Sequence, residues 1–248
     1  MPDVTGYRAK FAVIAPSTNT VVEHDFNAMG PHGITFHTGR MYIADPAMGS
    51  DQAFVALLGQ IRHSIDVAIR DVLTCQPDYL VMGMSAETFW DGVAGNQRFT
   101  ERVTALSGGL GVTTGASACR EALERFGARR ISILSPYQPV ADENVTRFFT
   151  ESGFEVVRFH GLRCPTATSI AEVGPDELRP VLTGLAADDP DAIVQVGTNL
   201  SMVALADEAE RWLGRTVIAI NAATLWHALR ANGFTDRIAG AGRLLREF

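Results

Sequence analysis

Pro77-Asp78-Tyr79-Leu80-Val81-Met82-Gly83-Met84-Ser85-Ala86-Glu87 opens on a turn signal, runs apolar without alternation, and changes abruptly to small and polar residues. So short an apolar run between turn residues reads as a strand buried on both faces, as in a parallel sheet. In open α/β sheets, ligands bind beyond the carboxyl ends of such strands. Ser85 and Glu87 therefore fall at the mouth of a pocket. The competing reading is that they only cap the next helix, a common use of Ser and Glu at helix starts.

A second copy favours the pocket. Pro190-Asp191-Ala192-Ile193-Val194-Gln195-Val196-Gly197-Thr198-Asn199 has the same form, with Ser85 falling on Thr198 when the two are laid together without gaps. Lys10-Phe11-Ala12-Val13-Ile14-Ala15-Pro16-Ser17 likewise matches Arg130-Ile131-Ser132-Ile133-Leu134-Ser135-Pro136-Tyr137, and the stretch from Ser117 to Leu123 matches that from Ala222 to Leu229 more weakly. Three pairs in one order imply a duplicated half. The expected fold is α/β, with two pseudo-symmetric lobes, each a short parallel sheet flanked by helices, and a site in the cleft between them. The expected boundaries are residues 1–115 with 222–248 for one lobe and 116–221 for the other.

Along the chain, a buried strand at 11–15 leads into Pro16-Ser17-Thr18-Asn19-Thr20 and a helix over 21–29 with Glu23 and Asp25 early. Acidic residues there suit the positive end of the helix dipole. Ser17, Thr18 and Asn19 lie where donors converge on an anion, or serve as simple caps. A strand over 34–43 carries Arg40. Apolar residues at helical spacing (Leu57, Leu58, Ile61, Ile65, Ile69) predict an amphipathic helix over 54–73. A loop over 92–96 precedes a helix reaching 106, and a helix over 118–126 ends at Gly127. Tyr137 follows the strand at 131–134, either near the cleft or packed on a lobe edge. The second lobe repeats the rhythm: helices over 141–152, 175–186, 201–213 and 222–231, and strands over 155–159, 192–196 and 216–220.

Composition limits the partners. Net charge is −7 with no basic run, which argues against nucleic acid and anionic membranes. The first residues lack an apolar stretch and no segment has bilayer-spanning length, so a cytoplasmic protein is expected. Cys75, Cys119 and Cys164 have no Cys-x-x-Cys spacing, and the six histidines no His-x-x-x-His spacing. Neither a disulfide framework nor a metal site is supported. No dinucleotide or Walker glycine pattern follows any strand, so no cofactor is indicated.

The ordered set Pro16-Ser17-Thr18-Asn19-Thr20, Phe36-His37-x-x-Arg40-Met41, Ser135-Pro136-Tyr137, Gly197-Thr198-Asn199-Leu200, Asn221-Ala222-Ala223-Thr224-Leu225-Trp226 and Gly240-x-Gly242-Arg243-Leu244-Leu245 resembles the maleate cis-trans isomerase family. Arylmalonate decarboxylases and the aspartate, glutamate and hydantoin racemases are its relatives. The resemblance implies a cofactor-free site for a small carboxylate and a homodimer or higher homo-oligomer. Carried over by position, Asn19 and Tyr137 contact the substrate carboxylate, and Thr198 and Asn199 form a second anion cradle. It also implies a cysteine in each lobe for the racemases and isomerases and a single one for the decarboxylases, but those positions here are Ser85 and Gly197, or Thr198 if the register slips by one. A serine is a poor nucleophile without an adjacent base and cannot exchange protons near neutrality as a thiol can. Glu87 is then the candidate acid or base, with Asp91 and His37 as outside candidates. The expected activity is thiol-free isomerase or decarboxylase chemistry on a small acid through a stabilised enediolate. The alternative is a catalytically dead relative that binds or senses such an acid.

Overall fold

The computed structural model describes residues 3–248 of the chain. The first half runs β1 (Ala9–Pro16), α1 (Val22–Met29), β2 (Ile34–Met41), α2 (Asp51–Val72), β3 (Tyr79–Met82), α3 (Ala86–Phe89), α4 (Gly92–Leu106), β4 (Val112–Thr113) and α5 (Gly115–Arg125). The second runs β5 (Arg130–Ser135), α6 (Pro139–Glu151), β6 (Glu155–Gly161), α7 (Pro175–Ala186), β7 (Ala192–Gln195), α8 (Val203–Leu213), β8 (Thr216–Ala219) and α9 (Ile220–Ala231), with α10 (Arg243–Glu247) closing the chain. The strand orders are β2-β1-β3-β4 and β6-β5-β7-β8, every pairing parallel. The duplicated topology read from the repeats is thus the observed one.

The repeated Pro-Asp has one physical role in both halves. Asp78 Oδ2 accepts from Lys10 N–H at 2.8 Å, at the start of β1. Asp191 Oδ2 accepts from Arg129 and Arg130 N–H, both at 2.8 Å, at the start of β5. Each aspartate thus fastens the edge of the central strand pair before the buried run begins. All four residues of β3 and of β7 are buried, which is why neither alternates.

Helix α2 starts three residues before its apolar periodicity because the Ser50 hydroxyl accepts from Ala53 N–H at 3.2 Å and caps it. Helix α4 starts at Gly92, where a loop is expected. Asp91 sits in the left-handed region at φ 59°, and donors at this helix start find acceptors on α6: Asp91 N–H to Asn144 Oδ1 at 2.9 Å and Val93 N–H to Glu151 Oε2 at 2.8 Å. The Gly-rich tail closes as α10 for the same kind of reason, with Glu210 of α8 accepting Arg243 N–H at 2.7 Å. Helix α9 packs on α5 and also reaches α1, β3 and β4 of the first half, so the two sheets share this seam. Among the described residues, no helix is long and apolar enough to cross a membrane.

Candidate functional site

The strands β1, β3, β5 and β7 all point their carboxyl ends at one cavity with an open volume of about 50 Å³. Thr18 and Asn19 follow β1, Ser85 follows β3, Tyr137 follows β5, and Thr198 and Asn199 follow β7. The opposite wall is apolar: Phe54, Leu57, Leu58 and Ile61 of α2, with Met48 from a loop and Ile170 from a short 3-10 turn at Ser169–Glu172. Among the described residues, no charged side chain and no cysteine lines it.

On the polar side, donors are set by elimination. The Asn19 side-chain oxygen accepts from Val21 and Val22 N–H, both at 3.0 Å, capping α1. That fixes which way the amide faces, so its NH2 must be the group 3.2 Å from Thr198 Oγ1. Thr198 Oγ1 therefore accepts, and its own hydroxyl proton stays free for a ligand. The backbone N–H groups of Thr198 and Asn199 donate to no protein acceptor among the described residues. Together these are uncharged donors facing the cavity, the arrangement an anion cradle needs, in a buried place where such donors are strong.

Ser85 and Tyr137 are joined by a short hydroxyl–hydroxyl hydrogen bond and are 2% and 6% exposed. The Tyr137 hydroxyl also lies 3.5 Å from the Val196 carbonyl. Burial pushes the Tyr137 hydroxyl well above the usual phenol value, so the tyrosine is neutral. A neutral phenol here is an acid, not a base.

The other residues singled out in the sequence lie elsewhere. Glu87 is turned away by the short α3 and lines a separate depression, with its Oε1 2.7 Å from Arg62 Nε on α2. Burial raises its carboxyl and Arg62 draws it back, but it does not face the cavity. The Ser17 hydroxyl accepts from Ile43 N–H at 3.0 Å and bolts β1 to the end of β2. Asn199 reaches the lining, yet its amide is spent on bracing loops: Oδ1 accepts from Thr20 N–H at 2.9 Å and Nδ2 donates to the Ala167 carbonyl at 2.9 Å. Gly197 offers no chemistry, and a Cβ there would lie 2.4 Å from Pro136 Cγ. Arg40 holds the Asn19 carbonyl at 2.6 Å and pairs with Glu23. Asp91 starts α4, and His37 Nε2 is 2.9 Å from Thr35 Oγ1 on β2. Cys164 is buried outside the lining, its thiol pushed up to about 11 by burial. Cys119 is fully enclosed on α5 and also raised by burial.

Sequence reasoning missed the buried pair under the cradle. Asn221 Nδ2 donates to Asp25 Oδ2 at 2.8 Å and to the Thr198 carbonyl at 3.0 Å. The apolar wall was also missed, because Phe54 and Leu58 carry the same periodic signal as residues facing only the core.

This constellation defines a two-lobed α/β protein whose strand-end loops converge on a cavity lined, among the described residues, by uncharged polar groups on one side and an apolar wall on the other. The family profile of arylmalonate decarboxylase matches residues 59–245, and the chain belongs to that family. Maleate isomerase of Pseudomonas putida is 27% identical over 243 residues, covering 94% of this chain and 95% of that protein. Arylmalonate decarboxylase of Bordetella bronchiseptica is 28% identical over 170 residues, 67% of this chain and 70% of that one. Among solved structures, a cysteine-to-serine variant of Nocardia farcinica maleate cis-trans isomerase, holding a covalently bound succinylcysteine intermediate, superposes with a TM-score of 0.86 at 22% identity over 97% of this chain and 99% of that one. An arylmalonate decarboxylase structure gives 0.78 at 22% identity, over 96% of this chain and 100% of that one. The structural likenesses show the shared fold. The homologues are enzymes, and they support isomerase or decarboxylase chemistry on a small acid.

Proposed function

We propose that the chain is a cofactor-independent, thiol-free decarboxylase for a small acid bearing an apolar substituent. The observation that carries this reading is the buried Ser85–Tyr137 hydroxyl pair beside the Asn19–Thr198 donors, in a lining without a thiol. The retained carboxylate sits on the Thr198 hydroxyl, the Asn19 amide and the free N–H groups. The departing carboxylate lies toward the apolar wall, where an ionised group is poorly solvated and its loss as neutral CO2 is favoured. The C–C bond breaks, CO2 leaves, and the electron pair stays on the remaining acid as an enediolate, whose charge the cradle offsets. The Tyr137 O–H then gives its proton to the α-carbon, directly or through the Ser85 hydroxyl, and water reprotonates the tyrosinate. Maleate isomerisation through a cysteine adduct has no thiol in the lining to begin it.

The alternative, a binding or sensor protein without turnover, draws on one specific observation: among the described residues, the lining holds no carboxylate, imidazole or thiol. Mass-resolved turnover on maleate, maleamate and aryl- and alkylmalonates, with and without prior thiol alkylation, separates the readings. Turnover of a substituted malonate that survives alkylation is the expected result. Turnover abolished by alkylation sinks the thiol-free mechanism, and ligand-dependent thermal stabilisation without turnover points to the binding protein.

A further inference from the structure

Tyr137 is gripped at both sides of its backbone by residues that never reach the cavity. Its N–H donates to Ser135 Oγ at 3.0 Å, and its carbonyl accepts from Arg163 Nη1 at 2.5 Å. The same Arg163 nitrogen pairs with Asp142, on the first turn of α6 and 6% exposed. Burial raises the Asp142 carboxyl, while the neighbouring Ser135 hydroxyl and Arg163 draw it back. The loop after β6 is laced along the loop that carries Tyr137: Leu162 N–H to the Ser135 carbonyl at 2.8 Å, Cys164 N–H to the Pro136 carbonyl at 3.1 Å, and Gln138 Nε2 to the Cys164 carbonyl at 3.1 Å.

Two backbone features show that this grip is enforced. Arg163 adopts φ 58°, the left-handed region that a residue with a Cβ visits at a cost. Gly161 supplies the space, since a Cβ there would lie 2.1 Å from Arg163 Nη1 and 2.6 Å from Asp142 Oδ2. The arginine side chain is 43% exposed and the Asp142 side chain 9%, and the same guanidinium nitrogen meets both that carboxylate and the Tyr137 carbonyl, so one left-handed residue serves the buried acid and the Tyr137 peptide together.

We infer that Arg163 and Asp142 are positioning residues that set the Tyr137 hydroxyl against Ser85 through the Tyr137 peptide, an inference resting on the reading of Tyr137 as the proton donor. Strain stored next to a reacting group fits pre-organisation of that group.

Arg163→Gly is the informative variant, because it removes the grip and relieves the left-handed strain together, and urea denaturation checks that the fold survives the loss of the Asp142 partner. In the ligand-free protein, exchange of the Tyr137 amide hydrogen should accelerate at least about tenfold, and a crystal structure should show the Ser85–Tyr137 contact opened. With phenylmalonate as the probe, kcat should fall about 10²-fold while KM stays within about twofold, the size expected for a misplaced reacting group. In a Tyr137→Phe background, Arg163→Gly should add no further loss. Gly161→Ala should reproduce the phenotype by displacing the guanidinium, and Asp142→Asn, which keeps an acceptor for Arg163, should show a smaller loss. Unchanged Tyr137 exchange with an intact Ser85–Tyr137 contact in Arg163→Gly overturns the inference, as does a loss that multiplies with that of Tyr137→Phe. If the wild-type protein turns over no acid, the proposed function fails, and the exchange and contact measurements still decide the positioning role.

Discussion

By the family resemblance, Ser85 and Gly197 (or Thr198 in a register shifted by one) stand where cysteines are expected, and the structure treats Ser85 and Gly197 differently. Ser85 keeps a hydroxyl in the cavity, bonded to Tyr137. Gly197 leaves room only for the Pro136 ring, which a Cβ would meet at 2.4 Å. Gly197→Cys should therefore destabilise the fold by about 1–3 kcal/mol, as overpacking does, and urea denaturation will measure it. A variant as stable as the wild type would mean that Pro136 yields readily. Tyr137→Phe should lower kcat about 10²–10⁴-fold, the usual share of a general acid, with a smaller effect on KM. Because burial raises the Tyr137 hydroxyl, the alkaline fall of kcat should lie above the ordinary phenol value of about 10. A limb near neutrality would assign the proton to another group.

At the scale of elements, the seam between α1 and α9 sets the cradle. Asn221 spends both amide hydrogens, on Asp25 and on the Thr198 carbonyl, while its own oxygen is buried without a partner. Asn221→Ala should cost about 1–3 kcal/mol, because it strands two buried acceptors. It should also weaken binding of small acids by loosening the loop that carries Thr198, readable by titration calorimetry with phenylmalonate. Unchanged stability and binding would show that the seam is held elsewhere. Which elements were legible follows from the same physics. Helix α2 carries its own cap and periodicity, and α7 opens on Pro175, so that the expected 175–186 coincides with α7 (Pro175–Ala186). The start of α4 and the whole of α10 depend on acceptors from α6 and α8, distant in sequence, and were not legible.

Across the whole molecule, buried and surface carboxyls oppose one another in their pH response. Burial holds Asp25, Glu87, Asp142 and Glu210 above the ordinary range, whereas hydrogen bonds hold Asp188, Asp191 and Asp236 below it. For the raised group, the folded state binds more protons between the ordinary carboxylate value and the folded value. Stability therefore falls as pH rises through that window. For the lowered group, the contribution is present above the ordinary value and disappears as pH falls through the folded one. Asp25→Asn keeps an acceptor for Asn221 and removes the buried charge, so it should stabilise the protein at pH 8, with the gain shrinking toward pH 4. Equal gains at both pH values, in urea denaturation, would show that Asp25 takes up no extra proton on folding and that burial does not raise it.

The sequence by itself determined the duplicated parallel sheets and the four strand ends that meet. Buried runs, turn residues and the repeated Pro-Asp are local signals whose meaning does not depend on what lies opposite. It also placed Asn19, Ser85, Tyr137 and Thr198 at those ends. Only the tertiary structure decided what each polar group does there. A side chain at a strand end has several partners within reach, and its role is whatever remains after the others are satisfied. Asn199 is consumed by bracing, Glu87 is carried outward by one turn of helix, and Ser85 meets a tyrosine from the other lobe. Which donors stay free for a ligand depends on distances between residues far apart in the chain, such as Ser85 and Tyr137 or Asn19 and Thr198, and no local pattern encodes those.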